Sequence, residues 1–210
     1  MGFIQSISEN FLAEVPLKKK GQSVKFFDER VEFGGQTVNY ADIDTLRANT
    51  DYTIHTYGGI PVWSDFRSGV HFKLKNNQTA KISLCSMRVF GIPFGGSPGK
   101  TSKLFPPLLD AVFAIIAKNM AGQYINSIKA GAEVEVCGLF INSTEASSFS
   151  KKKGKVPVIN KENYRESQIT KACGVAVYDK PGEVLWCSSV WKTDNALLIP
   201  YILDAVFGAE

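Results

Sequence analysis

Leu108-Leu109-Asp110-Ala111-Val112-Phe113 returns near the end of the chain as Ile202-Leu203-Asp204-Ala205-Val206-Phe207. Extended backwards, Leu104–Phe113 and Leu198–Phe207 agree at seven of ten positions. The first copy predicts an amphipathic helix that starts near Pro106-Pro107, where proline is tolerated, and runs to about Lys129. Leu109, Phe113, Ile116, Met120 and Tyr124 line one face, and Leu108, Val112 and Ile115 widen it. Gly131 is the natural stop. Asn195 opens the second helix. Both phrases read as core, so Phe113 and Phe207 are expected to be buried.

Upstream of each phrase the order of signals is also shared. Gly69-Val70 matches Gly174-Val175, and Leu84-Cys85-Ser86 matches Trp186-Cys187-Ser188. From Cys85 to Leu104 is nineteen positions and from Cys187 to Leu198 is eleven, so the first copy carries about eight extra residues, in the Gly/Pro-rich stretch 91–100. One unit used twice is the simplest reading. The text between these landmarks is strand-like. Residues 23–27 alternate, Gly34-Gly35 marks a hairpin, residues 52–57 and 70–75 alternate, and Asn76-Asn77 turns the chain towards 80–85. No helical crossover separates these strands, which predicts antiparallel meanders. In the second half, 133–141 reads as one strand, 156–159 as a short edge strand, and 174–178 with 183–191 as a hairpin around Lys180-Pro181-Gly182.

Residues 3–15 place Phe3, Ile4, Ile7, Phe11, Leu12 and Val15 at helical spacing before Pro16. The division expected is an N-terminal amphipathic helix and basic linker over 1–20, a first domain over 21–130 that includes the long helix, and a second over 131–210. A net charge of +4 permits an anionic partner without demanding one. The lysines come in two short runs and the aromatics sit in strand patterns, so no nucleic-acid partner is expected. No run of apolar residues is long enough to span a bilayer as a helix, and no secretory signal is visible, so a cytoplasmic protein is expected. Cys85, Cys137, Cys173 and Cys187 form no C-x-x-C pair and lie in or beside apolar runs, which predicts buried, reduced thiols. His55 and His71 are too few and too isolated to suggest zinc.

Meanders closed by one amphipathic helix resemble the bacterial pleckstrin-homology-like domain proteins. The resemblance rests on Phe33-Gly34-Gly35-Gln36, on Tyr40-Ala41-Asp42-Ile43 entering the next strands, and on Leu109-Asp110-Ala111-Val112-Phe113. It covers residues 23–128 and 132–210. It implies an α+β chain of two tandem, partly open antiparallel β-barrels, each closed by its C-terminal helix and preceded here by the N-terminal helix. Lipid-binding members of that family hold inositol phosphates with basic residues on the first hairpin. Here Lys25 and Arg30 are followed by Glu32 where a further arginine belongs.

Two strings in the 91–100 stretch suggest chemistry. Gly95-Gly96-Ser97-Pro98-Gly99 satisfies the G-x-S-x-G string, but Pro98 follows the serine, the helix starts much later, and both histidines come earlier. Gly99-Lys100-Thr101 ends like a phosphate-binding loop, but Phe94 stands where its first glycine belongs. Asp42, Asp44, Asp110 and Asp204 read as structural. No cofactor, metal or catalytic residue is expected. The expected function is a non-catalytic binding or scaffold protein that engages a protein partner or itself. The alternative is a peripheral binder of acidic membranes through the first helix and the lysine runs. The candidate anion or partner contacts are Lys18, Lys19, Lys20, Lys151, Lys152, Lys153 and Lys155.

Overall fold

The computed structural model describes residues 11–17, 22–89, 92–94, 101–148, 158–169, 174–191 and 193–208. Among the described residues, four antiparallel sheets, three α-helices, a π-type stretch and two short 3-10 turns (Tyr40–Asp42 and Ala196–Leu198) make up the fold. The first sheet runs β1 (Phe11–Pro16), β2 (Ser23–Phe27), β3 (Arg30–Phe33) and β4 (Gln36–Asn39) in sequence order. Gly34 and Gly35 turn β3 into β4 with φ of 56° and 77°, a conformation that glycine adopts at no steric cost. The second sheet holds β5 (Ile43–Tyr57), β6 (Ile60–Leu74), β7 (Thr79–Val89) and β8 (Ile92–Phe94).

Helix α1 (Phe105–Ala111), a π-type stretch (Val112–Ala117) and α2 (Lys118–Lys129) follow without a break. Prolines occupy the first turn of α1, and Gly131, at φ 91°, lies just past the end of α2 as expected. The second half starts with β9 (Val134–Val136), β10 (Leu139–Ile141), β11 (Glu145–Ser148) and β12 (Ile159–Asn160). It continues with β13 (Tyr164–Ile169), β14 (Gly174–Asp179) and β15 (Val184–Ser189), and ends in α3 (Ile199–Phe207). Each half therefore runs through a four-stranded sheet, a further meander and a helix.

Several expectations need correction. The barrels do not form: among the described residues the strands fall into four separate open sheets, none closed on itself. Closure depends on hydrogen bonds between distant strands, which local pattern does not encode. The described part of the expected N-terminal helix is a strand. Residues 11–16 pair with 23–27, so Val15 sits opposite Val24 and is buried; residues 3–10 lie outside the described residues. The single strand expected at 133–141 is a hairpin, because Cys137 and Gly138 both take positive φ, 61° and 76°, and reverse the chain. Cys85 and Cys187 are exposed rather than buried, since they fall on the outward phase of β7 and β15. Cys137 is partly buried, and burial pushes its thiol up to about 11. Cys173 lies outside the described residues.

One core runs through both halves, from Val15 and Val24 through Leu108 and Ile116 to Leu203 and Phe207. α2 packs against α3, and the rings of Phe113 and Tyr201 stack at 4.6 Å. Leu108, Val112, Ile116 and Met120 form the buried stripe of the long helix, while Leu109 and Phe113 are only partly covered. Phe207 is buried as expected and packs near Tyr164. Each fully buried side chain of this kind stabilises the fold by about 1.5–3 kcal/mol.

Asn195 joins the halves most directly. It takes the left-handed conformation, at φ 62°. Its backbone N–H donates to the Leu46 carbonyl at 2.8 Å, and its Oδ1 accepts from the Leu46 N–H at 2.9 Å. It thus mimics one more strand against β5. Asn195 opens the last helical turn as expected, its carbonyl accepting from the Leu198 N–H at 3.0 Å, but its side chain makes no cap bond there and closes a sheet edge.

Candidate functional site

The seven lysines expected to contact an anion or partner, Lys18, Lys19, Lys20, Lys151, Lys152, Lys153 and Lys155, lie outside the described residues, as do Ser97 and Lys100. The basic first hairpin is neutralised by its own acid. Arg30 Nε pairs with Glu32 Oε1 at 3.0 Å, and Lys25 sits directly across from Glu32. The aspartates have structural partners. Asn39 Nδ2 donates to Asp42 at 3.1 Å, Lys73 lies 3.6 Å from Asp44, and Asp204 accepts from the Tyr164 hydroxyl. Burial raises the Asp204 carboxyl above its ordinary range, and the Tyr164 bond opposes that shift. Asp110, its counterpart in the first phrase, is exposed. Among the described residues no group of His, Cys, Asp and Glu is placed to hold a metal, and no helix is long and apolar enough to cross a membrane.

The feature that stands apart is the far end of the second sheet. β5 and β6 each run fifteen residues and pair along their length, but only their lower parts belong to the core. Ile43, Leu46 and Ala48 on β5, and Val70 and Phe72 on β6, are buried. From Asp51 to Trp63 none of the described side chains is buried. Residues 50–57 thus form an arm of about 25 Å at the usual rise per residue. The reason lies in the sequence: Thr, Tyr and Ile favour the pleated strand over 50–57, and the first break is Gly58-Gly59, which turns the hairpin with φ of 57° and 80°. Gly69 marks the base. A Cβ there would stand 2.2 Å from the Ile82 carbonyl oxygen, so β6 and β7 approach more closely than any other residue would allow.

The arm is apolar where it is most exposed. Among the described residues eight large hydrophobics are exposed, and five lie on it: Ile54 (52%), Tyr57 (84%), Ile60 (71%), Trp63 (41%) and Ile92 (62%). Trp63, Tyr57, Ile60 and Ile92 share the face of His55 and Ile54 lies on the opposite one, so the arm exposes apolar side chains on both faces. One face is ordered by charge and stacking. The rings of His55 and Trp63 are 4.3 Å apart, His55 Nε2 lies 3.8 Å from Asp65, and Arg67 pairs with Asp65 at 3.4 Å.

The edge of β5 changes character along its length. At the base, Asn195 covers it through Leu46 and the Asp44 carbonyl. Above that point no described strand pairs with it. Edge strands are usually protected by proline, lysine, bulges or inward charges. Residues 48–57 contain no proline, no lysine and a single charge, Asp51. The bulge at His55/Thr56 places its extra residue, Val62, on β6, so β5 stays regular over 48–57; its own irregularity, at Asp44, lies at the base. The signal that could have revealed the arm is the unbroken β-forming run from residue 43 to the glycines at 58–59. Comparison with protein-family models, with curated proteins and with solved structures finds no match.

Proposed function

We propose that the chain is a non-catalytic assembly protein that joins a second copy of itself through the β5 edge of its arm. The observation that carries this reading is an edge closed by Asn195 at its base and, among the described residues, unpaired over 50–57, with exposed apolar side chains on both faces of the arm. A bare edge offers unpaired N–H and C=O groups to any extended strand. Self-complementarity favours a second copy. Antiparallel pairing centred on Ile54 sets Ile54 against Ile54, Thr53 against His55 and Asp51 against Tyr57 of the other copy. No like charges meet, and each contact off the axis is made twice, as a two-fold axis requires. The two sheets then continue as one.

Light scattering on the full chain tests this. A mass of twice 23.1 kDa is expected for the native chain, and 23.1 kDa for Ile54→Lys, which places two ammonium groups across the axis. Ile54 is half-exposed in the single chain, so its substitution leaves stability within about 0.5 kcal/mol. A native chain that stays monomeric at about 100 μM, a concentration well above the micromolar range typical of weak specific dimers, overturns the reading.

A further inference from the structure

At the base of the arm, on the outward face of the second sheet, the strands bring basic side chains into register. Arg47 on β5, His71 on β6 and Lys81 on β7 are direct cross-strand partners. One step along the same face Lys73 lies between Thr45 and Thr79. Directly opposed side chains on neighbouring strands sit about 5 Å apart, so the row is continuous. These residues line a cleft of about 330 Å³ that Asp194 closes on one side. Asp194 holds Arg47 at 2.6 Å, and Asp44 lies 3.6 Å from Lys73. Among the described residues Lys81 has no acidic partner. The cleft therefore keeps an excess of positive charge.

His71 reports that excess. Its Nε2 is buried with no hydrogen-bond partner. Burial first, then Lys81 and Arg47, lower its pKa. The groups that face it are Arg47 on β5, Lys81 on β7, Lys73 on its own strand, and Asp194 beyond Arg47. His71 separates Arg47 from Lys81 across the three strands, so the two cations flank a polar centre whose ring nitrogen is left without a partner.

We propose that this cleft binds the phosphate group of a small molecule, held between Arg47 and Lys81, with Lys73 and the threonine hydroxyls around it. Arg47 offers planar N–H donors suited to phosphate oxygens, and the two lysines add point charges. Thr45 and Thr79 can donate to further oxygens. Burial still lowers the His71 pKa, but an oxyanion beside it offsets the part that Lys81 and Arg47 contribute. Protonated His71 is then favoured, and binding tightens as pH falls through the histidine's midpoint.

The chain has two histidines, so NMR titration of the imidazole carbons resolves His71 from its control, His55, which is on the arm. The probe is inorganic phosphate, compared with chloride at equal ionic strength. Phosphate is expected to raise the His71 midpoint saturably by about one unit, which corresponds to tenfold tighter binding to the protonated form. Lys81→Gln and Lys73→Gln, both at exposed positions, are each expected to weaken that response by about tenfold, with His55 unmoved. Pelleting with vesicles of a phosphate-monoester lipid, lost in Lys81→Gln, would assign the phosphate to a headgroup; a phosphate response without pelleting would assign it to a soluble ligand. Equal His71 midpoints in phosphate and chloride, or His55 moving together with His71, would overturn the proposal. None of these readouts depends on the arm or on self-association.

Discussion

At the scale of single residues, the clearest lesson is Asn195. Asparagine before an apolar run is an ordinary helix-start signal, and position 195 reads that way. Its side chain instead serves a strand 149 positions earlier, where Leu46 lies fully buried and its N–H needs an acceptor. Local sequence marks the residue type and the break in the chain, but not the distant partner. Two properties are combined here: tolerance of the left-handed conformation and an amide that mimics a peptide group. Asn195→Gly keeps the first and loses the second, so urea melts should show a loss of roughly 1–3 kcal/mol, the cost of an unpaired buried N–H. Asn195→Ala should cost about 1 kcal/mol more, because it also strains the backbone. Equal, near-neutral effects would mean that the clamp contributes nothing to joining the halves.

Among the elements, the repeated phrase is legible as helix in both copies, since its apolar spacing, prolines and glycine stop agree. Which side of the helix faces inward is less so. The π-type stretch at Val112–Ala117 adds a residue to one turn, and the buried stripe runs through Leu108, Val112, Ile116 and Met120 rather than through Leu109 and Phe113. The two phenylalanines of the phrase therefore differ. Phe207→Ala should destabilise by roughly 3–5 kcal/mol, whereas Phe113→Ala, which removes a partly exposed ring stacked on Tyr201, should cost about half as much or less. Equal losses in thermal or urea melts would place Phe113 in the core after all. Among the strands, glycine and asparagine pairs give away their hairpins. β13 was illegible because Tyr164-Arg165-Glu166-Ser167-Gln168-Ile169 is mostly polar and only Tyr164 is buried. The stretch at 11–16 has a helical spacing but forms a strand, because a short apolar segment fits both periods.

Across the whole molecule, the succession of meander, meander and helix occurs twice, and buried residues of both halves belong to one cluster. The order of elements was legible from hairpin signals. Whether the sheets close, and how the halves share a core, depends on contacts between residues far apart in the chain, such as Leu46 with Asn195 and Phe113 with Tyr201. The arm follows the same logic. Its β-forming run was visible, but a strand that outruns its core is recognised only when the core is known. It is also where the two halves differ most, for β14 and β15 have six residues each against fifteen in β5 and β6.

If the bare edge of β5 is where two copies join, its amides must change state on assembly. Hydrogen exchange across residues 50–57, followed from dilute to concentrated protein, reads that edge directly. The expected result is protection that grows with concentration, is confined to the outward amides of this stretch, and is abolished in Ile54→Lys. Fast exchange of these amides at every concentration would contradict it.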